Sequence, residues 1–313
     1  MAGIMKRIVI AEFMDAAAVA QLRERHDVLY DVALVDDGAR LYQEAKWAHA
    51  LIVRNRTQVR GELLDALTQC TVVGRLGVGL DNIDVAGCEA RGIRVIPATG
   101  ANALSVAEYV IASAMLLLRG AYGSTAAVAA GHWPRNALSN GRELAGKTLG
   151  LVGFGAIGQL TARLAQALGM RTVAFDAMMD GSHPAFGATG TQPLGLDALV
   201  AQADVVSLHV PLVDGTRNLF HAPRIAAMKG GAVLVNTSRG GIVDEAAVAL
   251  ALREGRLGGA ALDVFEAEPL AASPHFDGCP NLLLTPHIAG VTAESNERVS
   301  SLIAQKVLEA LEP

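Results

Sequence analysis

Gly153-Phe154-Gly155-Ala156-Ile157-Gly158 follows a short apolar run, Thr148 to Val152, and opens a helical pattern that continues through Gln159 to Leu168. Asp176 lies 18 residues past the third glycine, at the end of a second apolar run, Arg171 to Phe175. Glycine turn, helix, second strand and acid, in that order, are what holding a dinucleotide requires. The first glycine permits a tight turn, the second lets backbone approach a pyrophosphate, and the third lets helix pack on strand. The phosphates would meet free N–H groups at the positive end of the helix dipole. Gly153, Gly155, Ala156, Ile157 and Gly158 are therefore candidate cofactor-binding residues. Asp176 is the candidate for the ribose hydroxyls, its plainer reading being a loop cap. Ala177, Met178 and Met179 follow it, with no arginine to pair a 2′-phosphate, which points to NAD over NADP.

Outward from this turn, strands and helices alternate in both directions. Towards the N-terminus, Arg7–Ala11, Val28–Tyr30, Ala50–Val53, Thr71–Gly74 and Ile93–Ile96 read as strands separated by helices. From Thr148 onward the strands are Thr148–Val152, Arg171–Phe175, Asp204–His209, Ala232–Asn236, Ala260–Val264 and Asn281–Leu284. Alternation of this kind implies parallel pairing, so the expected fold is α/β with two doubly wound parallel-sheet domains. An Ala-rich helix, Ser105 to Arg119, and an irregular arm through Gly146 join the two runs, and an amphipathic helix, Ala293 to Leu311, ends the chain. Pro97 to Asn102 breaks the pattern and reads as a hinge.

Composition narrows the class. A chain of 313 residues that is 51% hydrophobic can fill two cores. A net charge of −5, with basic residues scattered, gives no footprint for nucleic acid. Cys70, Cys88 and Cys279 are odd in number and lack CxxC spacing, which argues against a disulfide framework or a zinc site. The apolar run before Glu12 is too short for a signal peptide, and Tyr109 to Leu118 is too short for a membrane span. The expectation is a cytoplasmic protein with no metal, no nucleic-acid partner and no membrane.

Open α/β sheets bind ligands at the carboxyl ends of their strands. Polar clusters stand at those ends: Asn236 to Gly241, Asp263 to Pro269, Thr285 to Gly290 and, in the first run, Gly74 to Asp84. These stretches carry LGVGLDNID, GANALSVAEYV, GFGAIG, NTSRGGIVDE, ALDVFEAEP and TPHIAG, in that order. Together they resemble the D-isomer-specific 2-hydroxyacid dehydrogenase family along nearly the whole chain. The resemblance implies a cofactor domain inserted into a substrate domain, with boundaries at 1–100, 101–286 and 287–313, and an active site in the cleft between them.

Carried over by position, the resemblance makes Arg239, Glu268 and His287 the catalytic set. The chemistry is coherent: an arginine fork binds the carboxylate of a 2-keto acid, and a histidine exchanges a proton with the carbonyl oxygen. A carboxylate beside the imidazole orients it. Glu266 competes for that last role; the family pattern, with the acid directly before proline, selects Glu268. The resemblance also places the Val78 and Gly79 backbone on the substrate carboxylate. It places Asp263 on the nicotinamide amide, Thr237 and Ser238 in the same pocket, and His209, Pro211 and Gly290 at the cofactor. His209 has an equally good structural reading.

Arg54 and Arg56 follow a strand and could bind a second anion; a solvated loop is the alternative. Phosphoglycerate dehydrogenases of the family often carry basic residues here, so a 3-phosphoglycerate-like or 3-sulfolactate-like acid is the expected substrate. The chain stops just after its closing helix, from which we expect no regulatory domain. The arm from Gly120 to Gly146, with the resemblance, suggests a homodimer. A second class remains open on the same residues, an NAD(H)-sensing interaction protein like the C-terminal-binding-protein corepressors. Formate dehydrogenases share the fold but usually carry glutamine where this chain has Glu268.

Overall fold

A computed structural model describes residues 5–312. The chain divides into two compact units, Met1–Asn102 with Val291–Pro313, and Ala103–Gly290. In the first unit the strands are β1 (Arg7–Ile10), β2 (Asp27–Tyr30), β3 (Ala50–Val53), β4 (Val72–Arg75) and β5 (Arg94–Pro97). They form one parallel sheet in the order β2-β1-β3-β4-β5. Its central strand β3 is buried throughout, as expected when helices cover both faces of a parallel sheet. The closing helix Ala293–Leu311 packs on this sheet through Val299, Ile303, Ala304 and Val307. Gly74 makes that approach possible, since a Cβ there would come within 2.8 Å of the Ile303 side chain.

In the second unit the strands are β6 (Thr148–Val152), β7 (Arg171–Phe175), β8 (Gln192–Pro193), β9 (Val205–Leu208), β10 (Ala232–Asn236), β11 (Leu257–Leu262) and β12 (Leu282–Leu284). They form a second parallel sheet in the order β12-β11-β10-β9-β6-β7-β8. The order reverses between β6 and β9, which opens a crevice at their carboxyl ends. One face is covered by the helices Ala103–Arg119 and Ala156–Ala167, through Val110, Ala114, Leu117, Ala162 and Ala165. The other face is covered by Leu196–Gln202 and Glu245–Arg253, through Leu199, Val200, Val248 and Leu252.

Two differences from the sequence reading have local causes. Strand β11 starts at Leu257, earlier than the expected Ala260. Gly258 and Gly259 hide the strand from a propensity reading but are needed by packing: a Cβ on Gly258 would lie 2.3 Å from Gly231 O. The same strand stops at Leu262, where Asp263 turns its carboxylate to the loop after β12. The arm contains a 3-10 turn, Tyr122–Ser124, and one short α-helix, Thr125–Ala129, and is otherwise irregular, with Tyr122 and Trp133 exposed. Among the described residues no single helix is long and apolar enough to cross a membrane.

Candidate active site

Because every strand of the larger sheet runs the same way, the loops after β6, β7, β9, β10, β11 and β12 leave from one edge. The sequence-predicted residues of this unit lie in those loops or, for Ala156, Ile157 and Gly158, in the first turn of the helix that follows β6. Gly153 has φ +94, and a Cβ there would meet His209 O at 2.4 Å, so only glycine lets the loops after β6 and β9 touch. A Cβ on Gly158 would meet Gly153 O at 2.5 Å, which explains the third glycine as a packing requirement. Gly155 has nothing within 4 Å of its Cβ position. It stands with Ala156 exposed at the start of the helix Ala156–Ala167, which no side chain caps. An anion can therefore approach the first-turn N–H groups, with Ile157 half-buried behind them.

Asp176 lies against this turn. Its Oδ2 accepts the Phe154 N–H at 2.7 Å and its Oδ1 accepts the Met178 N–H at 2.9 Å. A carboxylate has about four lone-pair sites, so capacity remains on both oxygens. His209 is half-buried, with Nε2 3.0 Å from Ser207 Oγ, and burial pushes its pKa down to about 4. Pro211, two residues on, is exposed. Ser238 Oγ donates to Leu208 O at 2.6 Å and ties the loop after β10 to the end of β9. Among the described residues the buried Thr237 Oγ1 has no hydrogen-bond partner. An orphaned hydroxyl just past the carboxyl end of β10 suits a bound polar ligand.

The loops after β10, β11 and β12 bring Arg239, Glu268 and His287 together. Asn236 shapes the first: its side chain accepts from Ser238 N at 3.1 Å and donates to Arg239 O at 3.0 Å. Gly240 lets this loop abut the next, since a Cβ there would lie 1.7 Å from Phe265 O. Arg239 Nη1 donates to Ser238 O at 2.6 Å. Glu268 uses its oxygens separately: Oε1 accepts Phe265 N–H at 3.0 Å, and Oε2 lies 2.7 Å from His287 Nδ1. Burial alone would raise the Glu268 carboxyl. The hydrogen bonds from His287 and Phe265, with the positive charges of His287 and Arg239, outweigh it and hold the group below its ordinary value. Glu266, the rival candidate, is exposed, and its backbone N–H donates to Glu245 Oε1 at 2.8 Å.

His287 has φ +58, an uncommon conformation for a side chain of this size. Asp263, 1% exposed, holds the turn: its Oδ1 accepts Ile288 N–H and its Oδ2 accepts Ala289 N–H, each at 2.8 Å. Gly290 follows and ends the unit. With Nδ1 committed to Glu268, the imidazole has Nε2 left for chemistry.

In the smaller unit the buried carboxylate of Glu12 organises the loop after β3, accepting N–H groups of Arg54 at 2.8 Å, Arg56 at 3.2 Å and Thr57 at 3.0 Å. Arg54 is half-buried, donating from Nη2 to Asn296 Oδ1 at 2.7 Å; desolvation lowers its pKa from the ordinary arginine value. Arg56 is exposed and ion-paired with Asp36. Val78 is exposed and Gly79 half-buried, after a turn in which Gly77 donates its N–H to Arg75 O at 2.8 Å. Arg75 and Asn102 had no role in the sequence reading. Arg75 sits opposite Val53 in the β3–β4 register, so its strand end neighbours that of Arg54. Asn102 Oδ1 is buried without a hydrogen-bond partner among the described residues. The available signals were a lone charge closing an apolar strand and an amide opening a helix.

A parallel sheet with a glycine crevice at its reversal point, beside an arginine and a carboxylate-oriented histidine, defines a nicotinamide-dependent oxidoreductase acting on a small acid. The family profile described as "D-isomer specific 2-hydroxyacid dehydrogenase, NAD binding domain" matches residues 111–289. The chain is 53% identical to an (S)-sulfolactate dehydrogenase of Chromohalobacter salexigens, covering 98% of this chain and 99% of that one. It is 38% identical to a D-3-phosphoglycerate dehydrogenase of Mycobacterium bovis, covering 97% of this chain but 56% of the relative. The crystal structure of the TT0316 protein from Thermus thermophilus superposes with a TM-score of 0.86 at 33% identity, covering 97% and 96% of the two chains. The chain belongs to the D-isomer-specific 2-hydroxyacid dehydrogenase family. It is an NAD-dependent enzyme that interconverts a hydroxy acid and a keto acid.

Proposed function

We propose that the enzyme acts on a 2-hydroxy acid with a second anionic group, of the 3-sulfolactate type, and its 2-keto counterpart. The observation that carries the catalytic assignment is the 2.7 Å pairing of His287 Nδ1 with Glu268. Glu268 is ionised, so Nδ1 donates to it and Nε2 faces the substrate oxygen. In oxidation Nε2 takes the hydroxyl proton; in reduction it returns a proton to the carbonyl oxygen. Arg239 binds the substrate carboxylate, and the Val78–Gly79 backbone assists it.

Bound nicotinamide supplies hydride in one direction and accepts it in the other. Gly153, Gly155, Ala156, Ile157 and Gly158 would hold the pyrophosphate, and Asp176 the ribose hydroxyls. His209, Pro211, Thr237, Ser238, Asp263 and Gly290 would line the nicotinamide half. The open position at Gly155 and the orphaned Thr237 hydroxyl support this reading.

Arg54 is assigned to the distal anion, with Arg75 on the neighbouring strand end as its partner; the salt bridge to Asp36 makes Arg56 the weaker candidate. The 53% identity to an (S)-sulfolactate dehydrogenase supports a sulfonate in that place. A homodimer formed through the arm is supported by the exposure of Trp133, at 78%, and Tyr122, at 63%. A cytoplasmic location is supported by three free cysteines.

The test is NADH oxidation with sulfopyruvate, phosphohydroxypyruvate, hydroxypyruvate, glyoxylate and pyruvate. One charge-assisted contact contributes about 1.5–3 kcal/mol, so sulfopyruvate should exceed pyruvate about 10- to 100-fold in kcat/KM. Arg54→Ala should abolish most of that preference. Equal kcat/KM for the two acids in wild type would refute the distal-anion assignment, and no turnover with any of them would refute the catalytic one.

A further inference from the structure

The helix Ala103–Arg119 carries Tyr109, whose hydroxyl lies 2.5 Å from Thr285 Oγ1. Thr285 Oγ1 in turn donates to Asp263 Oδ1 at 2.6 Å. The direction of this chain follows from its last member. An ionised carboxylate can only accept, so the single Thr285 proton goes to Asp263. Thr285 then offers only lone pairs to Tyr109, and Tyr109 must be the donor. Asp263 thus receives donors from Thr285 and Ile288 on Oδ1 and from Ala289 on Oδ2, while its own backbone carbonyl accepts His287 N–H at 2.8 Å. Every one of these contacts bears on the turn that holds His287 at φ +58.

We propose that Tyr109 and Thr285 are positioning residues for His287: their hydroxyls form an ordered series of donors ending on Asp263, and that carboxylate holds the left-handed turn from which the imidazole projects. The proposal rests on His287 being the proton-transfer group. Without the Thr285 donor, Oδ1 can rotate away from Ile288 N–H and the turn relaxes towards ordinary backbone geometry. The imidazole then leaves the Glu268 carboxylate. Tyr109 acts one step further out, by fixing the rotamer of Thr285 so that its proton points at Asp263.

The experiment compares Tyr109→Phe, Thr285→Val, Thr285→Ser and His287→Ala in the full-length enzyme with NADH and sulfopyruvate. It records kcat, KM, NADH affinity by fluorescence, thermal midpoint and amide exchange at Ile288 and Ala289. Tyr109→Phe and Thr285→Val should each lower kcat about tenfold, with KM and NADH affinity within about twofold of wild type. Exchange at Ile288 and Ala289 should accelerate in both, and Thr285→Ser should restore kcat and protection. Wild-type kcat in Tyr109→Phe and Thr285→Val beside an inactive His287→Ala would overturn the proposal and leave the catalytic reading standing. A loss of kcat accounted for by loss of folded protein, with exchange at the two amides unchanged, would also overturn it. Full turnover in His287→Ala would overturn the catalytic reading itself.

Discussion

Replacing Glu268 with glutamine keeps the side chain's shape and removes its charge. The consequence follows from how the two oxygens are used. Oε1 takes Phe265 N–H at 3.0 Å and Oε2 faces His287 Nδ1 at 2.7 Å, so two donors converge on two acceptors. Glutamine has one acceptor oxygen and one NH2. If its oxygen stays on Phe265 N–H, the NH2 confronts Nδ1, which must then be an unprotonated acceptor. The imidazole is forced into the neutral form with its proton on Nε2, where it cannot act as the base that hydroxy-acid oxidation needs. If the amide flips, two N–H groups collide at Phe265. Losing a charge-assisted hydrogen bond costs about 1.5–3 kcal/mol. Both side chains are about one-third exposed, at 33% and 36%, so the lower end applies. The expected loss in kcat is therefore about tenfold in keto-acid reduction. It should be larger in hydroxy-acid oxidation, with KM little changed. Single-turnover measurements in both directions, with protio and deuterated NADH to isolate chemistry, give the answer. Losses equal in the two directions, or an effect confined to KM, would refute the tautomer argument.

Gly240→Ala places a methyl 1.7 Å from Phe265 O, pushing apart the loops that carry Arg239 and Glu268; we expect destabilisation of at least about 1–3 kcal/mol, read by urea unfolding, together with reduced kcat. His209 is held near pH 4 by burial, well below its ordinary value. The unfolded chain binds a proton at pH values where the fold does not, so stability should fall as pH drops from about 6.5 towards 4. That contribution is at most about 3 kcal/mol, and a His209→Gln variant should show a flatter decline in unfolding free energy between pH 7 and pH 5. Asp176→Ala should weaken NADH binding about tenfold and narrow the preference over NADPH, as measured by fluorescence titration of both cofactors.

Much of the architecture was legible because it is encoded locally. Buried runs such as Ala50–Val53 and Ala232–Asn236 stand between amphipathic helices, and parallel pairing follows from that alternation. The helices Pro184–Thr189, Leu196–Gln202 and Ala222–Ala226 are too short to show a clear period, and the two-residue β8 shows none. The start of β11 was masked by glycines whose reason is a neighbour more than 20 residues away, Gly231 O against Gly258. At the site, the residue types were legible from their place at strand ends. The choice of Glu268 over Glu266 as the partner of His287 came from the family pattern of an acid directly before proline; which oxygen of Glu268 meets the imidazole did not, because that depends on how the loop aims the side chain.

The sequence alone determined the doubly wound class, the glycine turn with its acid, and the set of polar groups available at the strand ends. These depend on side-chain period, on the φ freedom of glycine at Gly153 and on spacing along the chain. Only the tertiary structure decided which oxygen of Glu268 meets the imidazole, that Asp263 anchors a left-handed His287, and that Arg56 is held by Asp36 while Arg54 is not. Each of these joins residues from different loops or strands, and hydrogen-bond direction depends on positions that only packing of the whole sheet sets.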